Sequence, residues 1–236
     1  MRVIARFAGP NGEIRIVEEL ATGARSYCEG GVDQSRVLAG GEAGIDYVCV
    51  MDKLLASSPN ILLLGCGGGA LATMLHRRGR RVTVVDVNPL SFQLARTFFW
   101  MPNGIECITD DMREFVRRDR RTFDAIGIDV GGPHFSYEKV LDPDTVGHIR
   151  GVLKNGGRIA INISCEQPDD PVPGRIADIF AAEGLETWLF REETVIEVNV
   201  VILASARREN PSSLSGVIDD RWSLTRLAKC ARNGRP

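Results

Sequence analysis

The chain has 236 residues, enough for one large domain or for one domain with a small appendage. Its 44% hydrophobic and 25% charged residues are ordinary for a globular protein, and a net charge of −2 gives no general attraction to nucleic acid or to an anionic membrane. Six scattered cysteines without a Cys-x-x-Cys spacing argue against a disulfide framework or a metal site. No signal peptide or long apolar span is visible, so we expect a cytoplasmic protein.

The beginning of the chain predicts a small antiparallel β region over residues 1–50. Residues 3–7, 14–20 and 25–28 have the composition of short strands and are separated by turn-forming segments. We expect a loop at residues 29–34 and a helix over 47–56. An α/β domain over residues 51–205 and a polar C-terminal tail over 206–236, forming a peripheral helix or a loose end, complete the predicted organisation.

The strongest pattern is a run of large aliphatic residues at 61–64, followed by glycine-rich residues 65–70. The run predicts a strand buried on both faces, and Gly65, Gly67 and Gly69 let the backbone turn sharply and approach a ligand. A helix over 71–78 and a second apolar strand ending in Asp86 follow. This order is typical of a nucleotide-type cofactor site, with the carboxylate on the ribose hydroxyls; a tight turn beside a solvated acid is the alternative.

Strands and helices alternate along the rest of the α/β domain. Further strands are predicted at residues 105–108, 123–129 and 158–163, with helices over 89–99, 111–118, 144–153 and 175–183. Residues 185–190 and 195–204 leave no room for a helix between them, which predicts an antiparallel hairpin at the sheet edge. The order of elements resembles the α/β class I methyltransferase (Rossmann-like) fold, a seven-stranded sheet, here with the small N-terminal β region in addition.

Acidic residues follow successive strands of the predicted sheet. Asp86 ends the second strand, Asp110 and Asp111 follow the third, and Asp129 ends the fourth. The carboxyl ends of parallel strands meet at one edge, where such folds bind their ligands. Asp129 is therefore a candidate functional residue rather than a loop cap. His134 and Tyr137 lie on the next loop, where a substrate would sit or where they would simply be exposed.

Several segments resemble the spermidine synthases (polyamine aminopropyltransferases), and the resemblance covers about residues 13–205. The segments, in chain order, are residues 27–35 (the family's D-G-x-x-Q), Tyr47, residues 65–70 (G-G-G-D-G-G), 86–88 (E-I-D), 111–115 (G-D-G-x-x-F) and 199–205 (its closing strand). The N-terminal sheet, which ordinary methyltransferases lack, is part of the resemblance.

The resemblance implies a role for each matching residue. Gln34 would contact the sulfonium cofactor, Asp86 its ribose and Asp111 its adenine amino group. Asp129 would orient and deprotonate the attacking amine, and Tyr47 would face the substrate. The resemblance is also compatible with a homodimer built through the N-terminal sheet.

The departures from the family pattern concern its acids. Gly68 replaces the acid of G-G-G-D-G-G, Gly132 replaces the second acid of D-x-x-D-P, and Val48 follows the tyrosine in place of Gln or His. The missing carboxylates would neutralise cationic amines on the decarboxylated cofactor and on the diamine substrate. The site is therefore predicted to suit intact S-adenosylmethionine and a less cationic acceptor.

The sequence predicts a spermidine-synthase-like transferase that uses S-adenosylmethionine, or a sulfonium relative, to alkylate a small-molecule nucleophile. Methyl transfer to an amine is favoured, without a metal and without nucleic acid or membrane as partner. One alternative is a genuine aminopropyltransferase that uses decarboxylated S-adenosylmethionine. Another is a non-catalytic nucleoside-binding homologue that serves as scaffold or regulator. A nicotinamide oxidoreductase is disfavoured by the terminal hairpin.

Overall fold

The computed structural model describes residues 1–132, 135–167, 169–193 and 198–227. These residues form a four-stranded N-terminal sheet and an eight-stranded sheet with helices on both faces. None of the helices within these ranges is long and apolar enough to cross a membrane.

The N-terminal sheet is antiparallel, in the order β1-β2-β3-β4. Its strands are β1 (Arg2–Gly9), β2 (Gly12–Glu18), β3 (Arg25–Glu29) and β4 (Val32–Val37). The expected loop at residues 29–34 is wrong, because β4 begins at Val32. Gly30 and Gly31 both have positive φ, of 59° and 87°, which is what a tight two-residue turn between right-twisted strands requires.

The eight-stranded sheet has the order β12-β10-β11-β9-β8-β5-β6-β7. Its strands are β5 (Asn60–Leu64), β6 (Arg81–Asp86), β7 (Glu106–Thr109), β8 (Phe123–Ile128), β9 (Leu153–Cys165), β10 (Glu186–Glu192), β11 (Val198–Ser205) and β12 (Trp222–Arg226). Strands β5 to β9 are parallel to their neighbours within that group, and β10 and β11 form the expected antiparallel hairpin. The predicted class I methyltransferase architecture is confirmed.

Helices cover both faces of this sheet. They are α1 (Asp46–Leu55), α2 (Ala70–Arg77), α3 (Pro89–Phe98), α4 (Met112–Arg118), α5 (Tyr137–Val140), α6 (Pro143–Val152), α7 (Val172–Ala182) and α8 (Pro211–Ser215). Alternate residues of β5 enter opposite cores: Ile61 and Leu63 pack on the face that also holds the N-terminal sheet, and Leu62 and Leu64 pack on the other. The central strand is therefore buried on both faces, as its apolar run predicted.

The segment after β11 contains more structure than its polar composition predicted. Beyond α8, β12 pairs antiparallel with β10 and adds an eighth strand to the expected seven. Trp222 at the start of β12 is buried, and Arg226 at its end lies over the ring of Trp188 on β10. The boundaries at residues 50 and 205 stay a prediction.

Candidate active site

The glycine-rich loop connects β5 to α2 and lies against the end of β8. Gly65, Gly67 and Gly69 have φ of 100°, 50° and 72°, values that residues with a Cβ rarely adopt. A Cβ on Gly65 would lie 1.9 Å from the carbonyl oxygen of Asp129, so only glycine permits this approach. The loop that faces the cofactor in this fold is thereby in contact with the candidate base.

Asp86 joins the second strand end to the same loop. Its Oδ2 accepts a hydrogen bond of 2.9 Å from the backbone N–H of Cys66. Its Oδ1 accepts from the N–H of Asn88 at 2.8 Å and from the hydroxyl of Ser91 at 3.3 Å. A carboxylate offers about four acceptor positions, so one remains for a further donor such as a ribose hydroxyl. Burial raises the pKa of Asp86, although these hydrogen bonds oppose the rise.

Asp110 and Asp111 follow β7, next to β6. The N–H of Asp110 donates to the carbonyl of Asp86 at 3.1 Å, and its carboxylate forms an ion pair with Arg118. Asp111 caps α4: its Oδ1 accepts from the backbone N–H of Arg113 at 2.8 Å and of Glu114 at 3.3 Å. Partial burial acts to raise the pKa of Asp111, but the hydrogen bonds from Arg113 and Glu114 outweigh it and lower the pKa. The cofactor contacts of both acids stay a prediction.

Asp129 is held by side chains on two sides. The hydroxyl of Tyr47 on α1 donates to its Oδ2 at 3.1 Å, and Nδ2 of Asn162 on β9 donates to its Oδ1 at 3.1 Å. Burial raises the pKa of the Asp129 carboxyl, and these two donors partly oppose that rise. The structure thus brings the predicted base and the predicted substrate residue Tyr47 together.

Tyr137 lies at the same end of the sheet. Its hydroxyl oxygen accepts a hydrogen bond of 3.0 Å from the backbone N–H of Ser164. Burial raises the pKa of Tyr137 to about 12, with a further contribution from the charge of Asp129. Burial also raises the pKa of Tyr47 well above its usual value. Both phenols are therefore neutral at pH 7, and Asp129 remains the candidate base among these three groups.

A cavity of 540 Å³ adjoins Tyr137 and Ser164. It lies between the start of α5 and the segment from β9 to α7, with Glu138, Gln167 and Asp170 among its lining residues. The predicted substrate residue His134 lies outside the described residues.

Strand β4 of the N-terminal sheet packs on the glycine loop. The hydroxyl of Ser35 accepts a hydrogen bond of 2.8 Å from the N–H of Gly68. Gln34, the predicted cofactor contact, is the half-buried residue before Ser35 on β4. The sequence did not identify Ser35 as a site residue, although it lies in the segment that carries the family resemblance.

The N-terminal sheet also contributes a buried carboxylate whose charge acts on Asp86. Glu29 on β3 is only 6% exposed and accepts hydrogen bonds from the Tyr27 hydroxyl at 3.2 Å and from the N–H of Asn11 at 3.1 Å. Its charge contributes to the raised pKa of Asp86. The sequence did not single out Glu29. Its only signal there is an acid next to the two glycines of the turn.

Comparison with known proteins agrees with this geometry. Residues 61–157 match a family model described as a methyltransferase domain. Among curated proteins, an eEF1A lysine and N-terminal methyltransferase homolog of Drosophila pseudoobscura pseudoobscura is 28% identical over 119 residues. The match covers 45% of this chain but only 18% of that protein.

Similarity to solved structures extends further along the chain. A probable spermidine synthase from Corynebacterium glutamicum has a TM-score of 0.81 at 17% identity, covering 92% of this chain and 86% of that chain. Human methyltransferase-like protein 13, solved in complex with SAH, has a TM-score of 0.56 at 16% identity, covering 72% and 84%. At such identities the similarity shows the fold.

These findings show that the chain has a class I methyltransferase fold similar to that of spermidine synthases. More particularly, residues 61–157 are the part of the chain that is similar to the methyltransferase-domain family. The predicted fold is confirmed, and the similarities agree with the prediction of an S-adenosylmethionine-dependent transferase; the activity of the chain stays a proposal.

Proposed function

We propose that this protein transfers the methyl group of S-adenosylmethionine to a nucleophilic small molecule, with an amine as the favoured acceptor. The observation that carries the proposal is the carboxylate of Asp129, which Tyr47 and Asn162 orient at the end of β8. The backbone carbonyl of the same residue lies against Gly65 of the glycine loop. An acceptor amine or hydroxyl loses a proton as it attacks, and Asp129 lies where that proton can be received. A cytoplasmic location and a homodimer through the N-terminal sheet are further parts of the proposal.

The residues around the glycine loop fit the cofactor. The positive φ at Gly65, Gly67 and Gly69 keeps the backbone free of side chains at the start of α2, and Asp86 retains an acceptor position for the ribose. Gln34 and Asp111 are the further candidate contacts. Bound S-adenosylmethionine supplies an electrophilic methyl carbon on a sulfonium, which is a good leaving group.

Asp129 supplies the base and its neighbours supply orientation. The neutral hydroxyl of Tyr47 can donate to the carboxylate but cannot compete for the acceptor's proton. A pKa raised by burial brings Asp129 closer to the operating pH, which makes it a better-matched base than an exposed aspartate. The protein therefore contributes mainly alignment, desolvation and proton acceptance.

The surroundings of Gly68 support the choice of intact S-adenosylmethionine. A Cβ at Gly68 would lie 2.7 Å from Ser35 Oγ and 2.9 Å from Val37 Cγ2. The acid that spermidine synthases carry here could not be accommodated without moving the side chains of Ser35 and Val37 on β4. A carboxylate at this position would also repel the carboxylate of the intact cofactor.

Aminopropyl transfer is the second candidate function. It is favoured by the similarity to the probable spermidine synthase from Corynebacterium glutamicum, which covers 92% of this chain. It is disfavoured by Gly68 and by Gly132, which stand where that family has its cation-neutralising acids.

Titration calorimetry with S-adenosylmethionine, its decarboxylated form and methylthioadenosine tests the cofactor. We expect binding of S-adenosylmethionine with no large advantage for the decarboxylated form. Transfer from methyl-labelled S-adenosylmethionine to a panel of amines, alcohols and thiols then tests the reaction, with putrescine expected to be a poor acceptor. Rapid formation of spermidine from putrescine would establish the second candidate. Tight binding without any transfer would support the scaffold alternative, and failure to bind any of the nucleosides would overturn both proposals.

A further inference from the structure

Asn162 is a buried polar residue in an apolar strand. It interrupts the run of aliphatic residues at 159–163 on β9 and is only 6% exposed. Ile161 pairs with Ile128 in the parallel register of β8 and β9, so the next residue on each strand, Asn162 and Asp129, lie level with each other. The strand register explains how its amide reaches the candidate base.

Of the two polar atoms of the Asn162 side-chain amide, one has a hydrogen-bond partner and the other has none within the described residues. Nδ2 donates to Oδ1 of Asp129 at 3.1 Å. Oδ1 is buried and, within the described part of the chain, has no hydrogen-bond partner. Leaving a buried acceptor without a donor is unfavourable, and native proteins rarely do so without a reason.

The charge state of Asp129 gives the reason. An ionised carboxylate only accepts hydrogen bonds, so the amide must turn Nδ2 towards it and Oδ1 away. A protonated carboxyl is also a donor, and it can supply the missing hydrogen bond to Oδ1 if the amide rotates by about 180°. The amide N and O occupy nearly the same volume, so the rotation requires no repacking of the core around β9.

We propose that Asn162 is a positioning residue that holds Asp129 in both of its protonation states, donating from Nδ2 to the carboxylate and, after rotation of the amide, accepting at Oδ1 from the acid. The role in transfer rests on the proposed function. During transfer the lone pair of the nucleophile forms the new bond to the methyl carbon, and the electrons of the C–S bond remain on sulfur. The proton lost by the nucleophile moves to Asp129, whose new O–H then donates to Asn162.

Two other groups face Asp129 from neighbouring elements, and neither contacts the oxygen that Asn162 holds. From α1, Tyr47 donates to Oδ2, the other oxygen of Asp129. From α5, Tyr137 interacts with the charge of Asp129 but directs its hydroxyl oxygen to the N–H of Ser164. Both phenols are neutral over the range in which a carboxyl titrates, so neither changes its own charge when Asp129 gains a proton.

Carbon-13 NMR of the aspartate carboxyls in the free protein, with nitrogen-15 NMR of the asparagine side-chain amides, tests the proposal without cofactor or acceptor. Asp129→Asn assigns the carboxyl signal and Asn162→Asp assigns the amide. In the wild-type protein we expect the Asn162 amide signals to shift with the same midpoint as the Asp129 carboxyl. Asn162→Leu removes the donor to the anion and should increase the proton affinity of Asp129 by about tenfold.

Two further variants make the outcome independent of folding defects. Asn162→Asp has the same shape and places a second carboxylate beside the first, so it should move the midpoint upward by more than Asn162→Leu does. Ile161→Val on the opposite face of β9 is the matched control, expected to lower thermal stability without moving the midpoint. In transfer assays, the acidic limb of the plot of transfer rate against pH should shift in the same direction as the titration midpoint of Asp129.

The proposal would be overturned if the titration midpoint of Asp129 were unchanged in the folded Asn162 variants. It would also be overturned if the Asn162 amide signals of the wild-type protein did not shift as Asp129 titrates. These NMR results do not depend on the proposed function. If the titrations behave as expected but the wild-type protein transfers nothing, the role of Asn162 stands and the proposed function fails.

Discussion

Tyr47 donates a hydrogen bond of 3.1 Å to Asp129 although 82 positions of sequence separate the two residues. Asn162 holds the other carboxylate oxygen. Both partners lie outside residues 61–157, the segment that matches the methyltransferase-domain model. The part of the site that would face the cofactor is therefore common to a broad class of domains, whereas the surroundings of the base come from the flanking segments of this chain.

Replacing Asp129 by asparagine should separate catalysis from binding. Asp129→Asn keeps the shape of the side chain but removes the base, so turnover should fall by roughly 10²–10⁴-fold. Affinity for S-adenosylmethionine, measured by calorimetry, should stay close to that of the wild-type protein. Normal turnover by the variant would show that Asp129 is not the base and would make His134 or Tyr137 the next residue to test.

The same variant should be more stable than the wild-type protein at neutral pH. Burial raises the pKa of Asp129 in the folded state above the unfolded value of about 3.9. The folded protein therefore binds this proton more tightly, and its stability falls as the pH rises from the unfolded value through the folded one. Asp129→Asn avoids that loss, so its melting temperature should be higher at pH 7.

The pH dependence supplies the control for this stability difference. Below about pH 4, Asp129 is protonated in both the folded and the unfolded state, and the difference in melting temperature should shrink. A difference that stays the same from pH 3 to pH 7 would mean that ionisation of Asp129 is not its cause.

Removal of the Asp86 carboxylate should weaken cofactor binding. Asp86→Ala should reduce the affinity for S-adenosylmethionine by about 1–3 kcal/mol, because a charge-assisted hydrogen bond to the ribose is lost. Asp220, an exposed acid in the turn before β12, provides a control of equal charge change, and Asp220→Ala should bind as the wild-type protein does. Equal affinity of a folded Asp86→Ala protein would refute the ribose assignment.

Two glycines with positive φ distinguish backbone strain from steric exclusion. Gly79 has a φ of 76° and open space where a Cβ would lie, so Gly79→Ala should lower the free energy of unfolding by about 1 kcal/mol. Gly65 has a φ of 100°, and its added Cβ would lie 1.9 Å from the carbonyl oxygen of Asp129. Gly65→Ala should therefore cost at least about 3 kcal/mol. Denaturant unfolding of the two variants measures the difference, and equal losses would contradict the described packing.

The sequence predicted those elements whose apolar pattern is set by burial. The run at 61–64 is central in the sheet and covered on both faces, and the terminal hairpin followed from the lack of room for a helix. Strand β12 was missed because it pairs on one side only and needs few apolar residues, so its sequence contains little beyond Trp222 and Leu224. Strand β4 was missed because the turn that joins it to β3 consists of Gly30 and Gly31 alone, so the strand begins within the segment predicted as a loop.

The candidate site was predictable where topology alone brings residues together. Asp86, Asp110 and Asp129 lie at the ends of β6, β7 and β8, which run parallel in one sheet, so their place at the same sheet edge follows from strand order. Ser35, Glu29 and Asn162 depend on how separate elements pack, which periodicity does not encode. Asn162 did leave a signal, a single amide within an aliphatic strand. The predicted cofactor contacts of Gln34, Asp110 and Asp111 await a bound cofactor.

Strand β12 also has a consequence for solubility. An unpaired outer strand is a template on which another chain can add its own strand. In this protein the strand that β12 covers is β10, which contains the apolar residues Trp188, Leu189 and Phe190. Residues 222–226 thus shield the hairpin from intermolecular pairing. A chain shortened to end at residue 205 would keep every candidate site residue and still be expected to aggregate, because β10 would lose the strand that covers it.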